Sequence, residues 1–526
     1  MIPLFAQRRA RSAAPEPAAA VLSLSPGATR LTAGLHPRRS QQRLDHGAHL
    51  SAHGPLPAPG ELRLAELHAL TEQIALREQG GTGLPFHRTL RSVIDSTRRH
   101  GLPAAVVVNA TQGEPPSRKD ETLLRRAPHL VLDGALLTAA ALNAQQVVIG
   151  VSHAAAEAAV RAAVAERQPR HRSRRSSVRV VRLPERFVTG ESDALLRDLG
   201  GGPPTPTGRK GRPSNAGVDG LPTLLSSAET WARLAVAART GAARYAAVGE
   251  PGEPGTFLST VTAYTTGSRR LAQTVVEAPV GVPLRVLLER CRTDVGQAVL
   301  IGGYHGAFLS RRAANTALMS RRGIEAAGAT FGAGEVIRLP EETCPLGETA
   351  RAAHWLAAEA AAQCRLCFRR RSAIATALDY LLHGGGNAAM ERLRGQAAAA
   401  RGRGACSHPD GSAKFVISAL STFADDLAAH ARGRGCGRGV LGALPLPGGP
   451  ETVGAGADDR FGVDWTLCDG HGLCADVVPE LIQMGSDGYP VVSTATIPPY
   501  LAARAKAAVR RCPALALRIE GSPSGR

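Results

Sequence analysis

Residues 104–152 read AAVVVNATQGEPPSRKDETLLRRAPHLVLDGALLTAAALNAQQVVIGVS. The stretch opens on a short apolar run at 104–110 and crosses a polar, Pro-containing turn. It then enters a helical pattern around 130–143 and closes on a second apolar run at 146–152. Strand, helix, strand at this spacing is a crossover unit whose two strands lie parallel. Working outward, the pattern repeats: a helix at 154–167 leads to VRVVRL at 178–183, and a further helix is expected around 226–240. On the N-terminal side, ELRLAELHALTEQIALREQ brings Leu62, Leu64, Leu67, Leu70 and Ile74 onto or near one helical side before the Gly-rich GGTGLP at 80–85. The expectation is an α/β layer built on a mostly parallel sheet.

Beyond that layer, β-type segments at 256–264 and 272–278, a helix over VPLRVLLERC and the strand-and-turn QAVLIGGYHGAFLS indicate a small α+β module. Residues 346 to about 430 read as helical, with Val416, Leu420, Phe423 and Leu427 at helical spacing. The expected organisation is a disordered leader at 1–28, an α/β domain at 29–250, the small module at 251–337 and a helical domain at 338–432. A Gly/Pro-rich linker at 433–459 and a terminal unit at 460–526 complete it.

The chain has 526 residues and a net charge of +19, but only four of its 63 basic residues are lysine, a bias that GC-rich coding produces. The arginines are scattered apart from runs at 170–175 and 369–371. With aromatics at 4%, the stacking platforms of a nucleic-acid binder are scarce, so no nucleic-acid partner is expected. No apolar run is long enough to span a bilayer and no secretory signal pattern opens the chain, so a cytoplasmic location is expected. Nine cysteines, an odd number, argue against a disulfide framework.

Six of the nine fall into two groups with metal-ligand spacing. CDGHGLC at 468–474 places Cys468, His471 and Cys474 at intervals of three, and RRCPAL supplies Cys512 followed by Pro513. Thiolates three apart on a tight loop wrap a small cluster that a distant Cys-Pro closes. The unit resembles the single-cluster ferredoxins of actinobacterial type, through VDWTLC and GSDGYPVV as well. That resemblance implies three thiolates and a three-iron or four-iron cluster, with His471 either an iron ligand or a solvent-side loop residue.

The second group is Cys364, Cys367 and Cys406, in EAAAQCRLCFRR and GRGACSHPDG. The spacing alone admits zinc, an iron–sulfur cluster or a redox pair. In context the run resembles the cluster motif of the 51 kDa flavoprotein family of NADH-quinone oxidoreductase, respiratory complex I. Glu359 matches the motif's acid and Ala361 stands where the first cysteine belongs. The implied cluster therefore lacks one thiolate, which Cys436 or water would replace, or it holds three irons.

Other segments follow the same family in the same order. LREQGGTGLPFHR at 76–88 resembles its flavin-cradling loop through Gly80, Gly81, Gly83 and Pro85, but Glu78 and Gln79 replace a Gly and an Arg. A carboxylate at position 78 is expected to repel the FMN phosphate. NATQGEPPSRKDETLLRRAPH at 109–129 resembles the segment lining flavin and nicotinamide, through Asn109, Glu114, Pro115, Lys119 and Asp120, with Thr111 and Gln112 in place of two acids. RFVTGESDALLRDLGG at 186–201 keeps Gly190 and Glu191. LPTLLSSAETWARL at 221–234 carries Ser226 and Ser227 where the family has asparagines. EAPVGVPLRVLL and GGYHGAFLS resemble its soluble-ligand-binding β-grasp (SLBB) module.

The resemblance implies a Rossmann-like FMN-binding domain, a β-grasp module, a helical-bundle iron–sulfur domain and a small α+β ferredoxin. The implied cofactors are two iron–sulfur clusters, 4Fe-4S or 3Fe-4S, with FMN and NAD(P)H. It also implies redox partner proteins or further oxidoreductase subunits. The expected function is electron transfer from NAD(P)H through FMN and the clusters, with no acid–base catalytic residue. The alternative is a non-enzymatic iron–sulfur carrier with a degenerate flavin site.

Overall fold

The computed structural model describes residues 19–24, 30–37, 42–57, 62–80, 83–167, 177–208, 211–265, 270–364, 367, 372–400, 402–447, 460–493, 497 and 501–520. The arginine runs at 170–175 and 369–371, and Gly81, lie outside the described residues.

The first layer is a four-stranded parallel sheet. Its strands are β2 (Ala105–Ala110), β3 (Gln146–Val151), β4 (Ser177–Arg182) and β5 (Thr223–Ser227), in the order β4-β3-β2-β5. Val106, Val107, Val108, Val147 and Val148 are fully buried, which is why these runs are apolar without alternation: helices cover both faces. On one side lie α2 (Leu64–Gln73), α3 (Phe86–His100), α4 (Lys119–Arg126), α5 (Pro128–Ala141), α6 (Ala154–Arg167) and α8 (Ala228–Ala246). The short α7 (Ser192–Leu199) packs Leu195 and Leu199 on the other. Gly134 lets α5 and α8 touch, since a Cβ there would stand 2.0 Å from the Trp231 carbonyl oxygen. Strand order reverses at β2, so the carboxyl ends of β2 and β5 form the crevice where such sheets bind ligands.

A six-stranded mixed sheet follows, from β6 (Thr256–Thr265), β7 (Arg270–Pro279), β8 (Ala298–Ile301), β9 (Ala307–Ser310), β10 (Glu335–Leu339) and, at its edge, β1 (Ala20–Ser23). This corrects the expectation of a disordered leader over 1–28. Ala20 to Ser23 pair in parallel with Thr274 to Glu277, and Val21 is buried. The Glu277 carboxylate holds the following turn by accepting the N–H groups of Arg30, Leu31 and Thr32 at 2.8–2.9 Å. Residues 1–18 and 25–28 lie outside the described residues.

The helical region comprises α12 (Pro345–Glu359), α13 (Ala373–Leu382), α14 (Gly386–Ala400), α15 (His408–Thr422) and α16 (Ala424–Ala431), after the short α9 (Leu284–Arg290), α10 (Arg311–Thr316) and α11 (Arg321–Ala326). The 433–459 linker is corrected in its first part. Glu348, buried in α12, accepts the N–H groups of Gly442, Ala443 and Leu444, and the Tyr304 hydroxyl donates to the Pro445 carbonyl. Gly/Pro composition here serves a strap bonded through its backbone, whereas 448–459 lies outside the described residues. The last unit pairs Arg460–Val463 with Leu517–Glu520 antiparallel around Phe461, Ile482, Leu501 and Ala505. Among the described residues no helix is long and apolar enough to cross a membrane.

Candidate flavin and iron–sulfur sites

The Gly-rich loop closes on itself where Arg77 pairs with Pro85, and Gly80 and Gly83 take the left-handed φ angles (83° and 63°) that only glycine adopts without strain. The Gln79 N–H donates to Thr230 Oγ1 at 2.9 Å, fixing the loop against the start of α8. Among the described residues, a Cβ at Gly80 would meet nothing nearer than Ala333 Cβ at 4.0 Å, which leaves room for a close-approaching ligand. Glu78, expected to repel the FMN phosphate, is half-buried. Its carboxyl accepts from Thr89 Oγ1 at 3.2 Å, and burial pushes it up to about 7, so at neutral pH a large share of it carries a proton. Arg77 bonds the Gly83 carbonyl rather than Glu78. A residue that sequence reading missed, Arg321 of α11, donates to the Glu78 carbonyl at 2.6 Å and places its guanidinium against Gly83. It restores to the loop a cation that Gln79 does not supply.

At the strand ends, Asn109 of β2 stands in register with Ser227 of β5. The Asn109 amide donates to the Gly190 carbonyl at 3.1 Å and its oxygen accepts from Thr111 Oγ1 at 2.7 Å. Gln112 accepts the N–H of Glu121 and so caps α4. Ser227 caps α8, accepting the Thr230 N–H, while Ser226 Oγ and Thr189 Oγ1 are buried with no hydrogen-bond partner among the described residues. Buried hydroxyls without a partner and an open glycine loop, both on the domain whose sheet has this switch point, fit a bound flavin nucleotide, which supplies both acceptors and donors. Glu114 stands apart from this group. Its carboxyl accepts the Tyr304 N–H at 3.3 Å, and burial with the Glu335 charge raises its pKa well above the usual carboxylate range. Lys119 is buried in an ion pair with Glu229 at 2.8 Å that joins the first sheet's helices to β6, because Glu229 also accepts the Leu258 N–H.

The second group forms where α12 ends. The Cys367 N–H approaches Cys364 Sγ at 3.5 Å, and Cys406 lies close enough for both thiols to act on its ionisation. Burial, with Glu191 and the neighbouring thiols, pushes Cys406 up to about 12. Burial and Cys364 push Cys367 to about 11. Cys367 borders a cavity of about 50 Å³ lined by Leu356, Ala360, Ile374, Ala400 and His408. A single zinc ion would draw thiolates to about 3.8 Å from one another. Among the described residues, the sets whose donor atoms converge within 4.8 Å include neither this trio nor Cys468, Cys474 and Cys512. Thiols that are neighbours without converging fit a cluster, whose irons and sulfides keep the ligands apart. Cys436 is not the missing ligand: it lies with Cys344 at the start of α12, while Cys364 follows that helix's end, about 22 Å away along 15 residues.

In the terminal unit the Cys468 and Cys512 thiols add to burial in raising Cys474. Cys512 caps the helix Ala502–Arg511, and Gly470 and Gly472 turn the loop tightly over the hairpin. His471 is exposed, on the solvent side of the loop.

The two larger sites are joined by the one-turn segment Phe187–Gly190. The Phe187 N–H donates to Glu359 Oε2 at 2.8 Å, and Ser407 Oγ donates to Glu191. The Phe187 ring packs on His305, His408 and Trp355 with centroids 4.6, 5.3 and 5.4 Å away. One turn of chain thus carries the carbonyl bonded to Asn109 and the groups bonded beside the cysteines.

Known proteins match the same segments. The family described as the Nuo51 FMN-binding domain matches residues 71–236, and the NADH-ubiquinone oxidoreductase-F iron-sulfur binding region matches 348–430. A 4Fe-4S single cluster domain matches 461–519. An NADH-quinone oxidoreductase subunit of Rickettsia bellii is 25% identical over 308 residues, 56% of this chain and 72% of its own. The corresponding subunit of Rhodobacter capsulatus is 24% identical over 386 residues, 70% of this chain and 88% of its own. A chain of an NAD+-reducing [NiFe]-hydrogenase in the H2-reduced state shares the fold with a TM-score of 0.64 at 23% identity, over 73% of this chain and 67% of that one. Over residues 71–236 and 348–430, in the same order, the chain is similar to the 51 kDa flavoprotein family of NADH-quinone oxidoreductase.

Proposed function

We infer that this chain is an NADH-oxidising electron-transfer flavoprotein that passes electrons through its iron–sulfur sites to a fused ferredoxin unit. FMN, when bound, supplies hydride acceptance and one-electron release, and iron–sulfur clusters supply one-electron carriage. The loop at 77–85 with Arg321, the Asn109 amide and the hydroxyls of Ser226 and Ser227 would hold the flavin. Cys364, Cys367 and Cys406 would hold one cluster, and Cys468, Cys474 and Cys512 the other. We assign the 256–339 sheet to a β-grasp module, 345–431 to a helical iron–sulfur domain and 460–520 to an α+β ferredoxin.

The observation that carries this reading is the Phe187–Glu191 turn, bonded to Asn109 at one end and to Glu359 and Ser407 at the other. Such a bridge would hold the residues of the flavin site and those of the cluster site in a fixed relation. Relatives named as subunits of larger oxidoreductases support further subunits as electron acceptors. The free thiols suit a reducing compartment such as the cytoplasm. The test is anaerobic purification of the full chain, with flavin, iron and sulfide quantified and NADH added. Flavin bleaching followed by EPR signals from two clusters supports the proposal. A chain with iron but no flavin, unreduced by NADH, overturns it in favour of a cluster-only carrier.

A further inference from the structure

Apart from both cluster sites, Cys344, His430 and Cys436 bring their donor atoms within 4.8 Å of one another. They come from three separate places: the N-cap of α12, the last turn of α16 and the strap that follows it. The His430 ring is oriented by its far nitrogen. Nδ1 lies 3.2 Å from the Leu382 carbonyl, which only accepts, so Nδ1 carries the hydrogen and Nε2 presents a lone pair. That lone pair faces Cys344 Sγ at 3.4 Å. Cys344 Sγ also accepts the Gly347 N–H at 3.3 Å, at a helix N-terminus where the backbone dipoles favour a thiolate. Cys436 lies between Gly435 and Gly437, both at left-handed φ (64° and 73°), which wind the strap into a knuckle.

We propose that Cys344, His430 and Cys436 bind a zinc ion, with a solvent oxygen as the fourth ligand, and that this ion staples the strap to the helical domain. Two thiolates and a neutral imidazole match the soft, tetrahedral preference of zinc, and the two thiolate charges cancel that of the ion. Zinc replaces the two thiol protons, which pass to solvent; no electron is transferred. The strap is already pinned just downstream. The Cys344 N–H donates to the Gly439 carbonyl at 2.7 Å and the Leu441 N–H to Thr343 Oγ1 at 3.1 Å. An ion at Cys436 fixes its upstream end and so sets where the chain departs toward the ferredoxin unit.

The experiment quantifies zinc and iron by mass spectrometry in the full-length protein and in Cys436→Ser, Cys344→Ser and His430→Gln. Cys436 is only partly buried, so Cys436→Ser remains informative if the Cys344 variant does not fold. The expected result is about one zinc per wild-type chain, at least tenfold less in Cys436→Ser, and unchanged iron. Cobalt(II) added to the metal-stripped site should give a thiolate-to-cobalt charge-transfer band that Cys436→Ser abolishes. Wild type without zinc and without the cobalt band, zinc retained in Cys436→Ser, or a Cys344–Cys436 disulfide in the non-reduced peptide map would each overturn the proposal.

Discussion

The Arg321 guanidinium donates to the Glu78 carbonyl oxygen at 2.6 Å and occupies the space that a side chain on Gly83 would take. A cation from the second sheet's module is thereby set into the glycine loop of the first. Arg321 is held in turn by Glu253, which accepts its backbone N–H at 2.9 Å. A charge-assisted bond to phosphate contributes about 1.5–3 kcal/mol, so Arg321→Ala should weaken FMN binding roughly 10- to 100-fold. Titration of flavin fluorescence measures this, and unchanged affinity would remove Arg321 from the site.

Glu78 makes FMN binding pH-dependent. Burial raises its pKa to about 7, so the folded chain holds this proton where the unfolded chain has lost it. The stability linked to it is complete below the ordinary carboxylate range and declines as pH rises to about 7. A charge formed at position 78 is expected to repel the FMN phosphate, so FMN affinity should fall as pH passes about 7. Glu78→Gln should flatten that profile.

The terminal unit meets the helical region at a buried carboxylate, Asp379. The Asp379 carboxylate accepts from His354 Nε2 at 2.5 Å, and Glu480 of the terminal unit lies beside it. Burial raises the Asp379 pKa, His354 opposes the shift and the Glu480 carboxyl adds to it. The contact is therefore stable while the proton is held and weakens as pH rises through the raised value. Limited proteolysis between residues 447 and 460 should accelerate with pH in wild type. In Glu480→Gln, whose amide donates without titrating, the rate should stay level.

Ala361→Cys should raise the iron bound at Cys364, Cys367 and Cys406 and improve its tolerance of oxygen, because a cubane takes four thiolates. Cys436→Ser should leave that iron unchanged, since Cys436 sits at the opposite end of α12. Loss of iron in Cys436→Ser would show that the strap reaches the cluster after all.

Glu348→Ala should destabilise the chain by about 3 kcal/mol or more. The substitution leaves the N–H groups of Gly442, Ala443 and Leu444, all now bonded to one buried carboxylate, without an acceptor. Hydrogen exchange at those three amides should rise alongside the drop in the denaturation midpoint.

The α/β layer was legible because a buried parallel strand is an apolar run of fixed length, and 104–110 and 146–152 are such runs. The cysteine motifs were legible because ligand spacing on a loop is a local property. Gly80, Gly83, Asn109, Ser226 and Ser227 were legible as candidates through their order along the chain. What Glu78 does was not, because its effect depends on burial and on Thr89 and Arg321.

The sequence by itself determined the apolar runs of the parallel sheet, the periodic helices and the two cysteine loops, each a pattern carried by residues close together in the chain. Only the tertiary structure decided that Phe187 meets Glu359, that Cys344 meets His430 and Cys436, and that Ala20–Ser23 is a strand. These pairings join residues far apart in the chain. Their partners are chosen by how whole layers pack, and a four-residue edge strand carries too little pattern to announce a neighbour some 250 residues away.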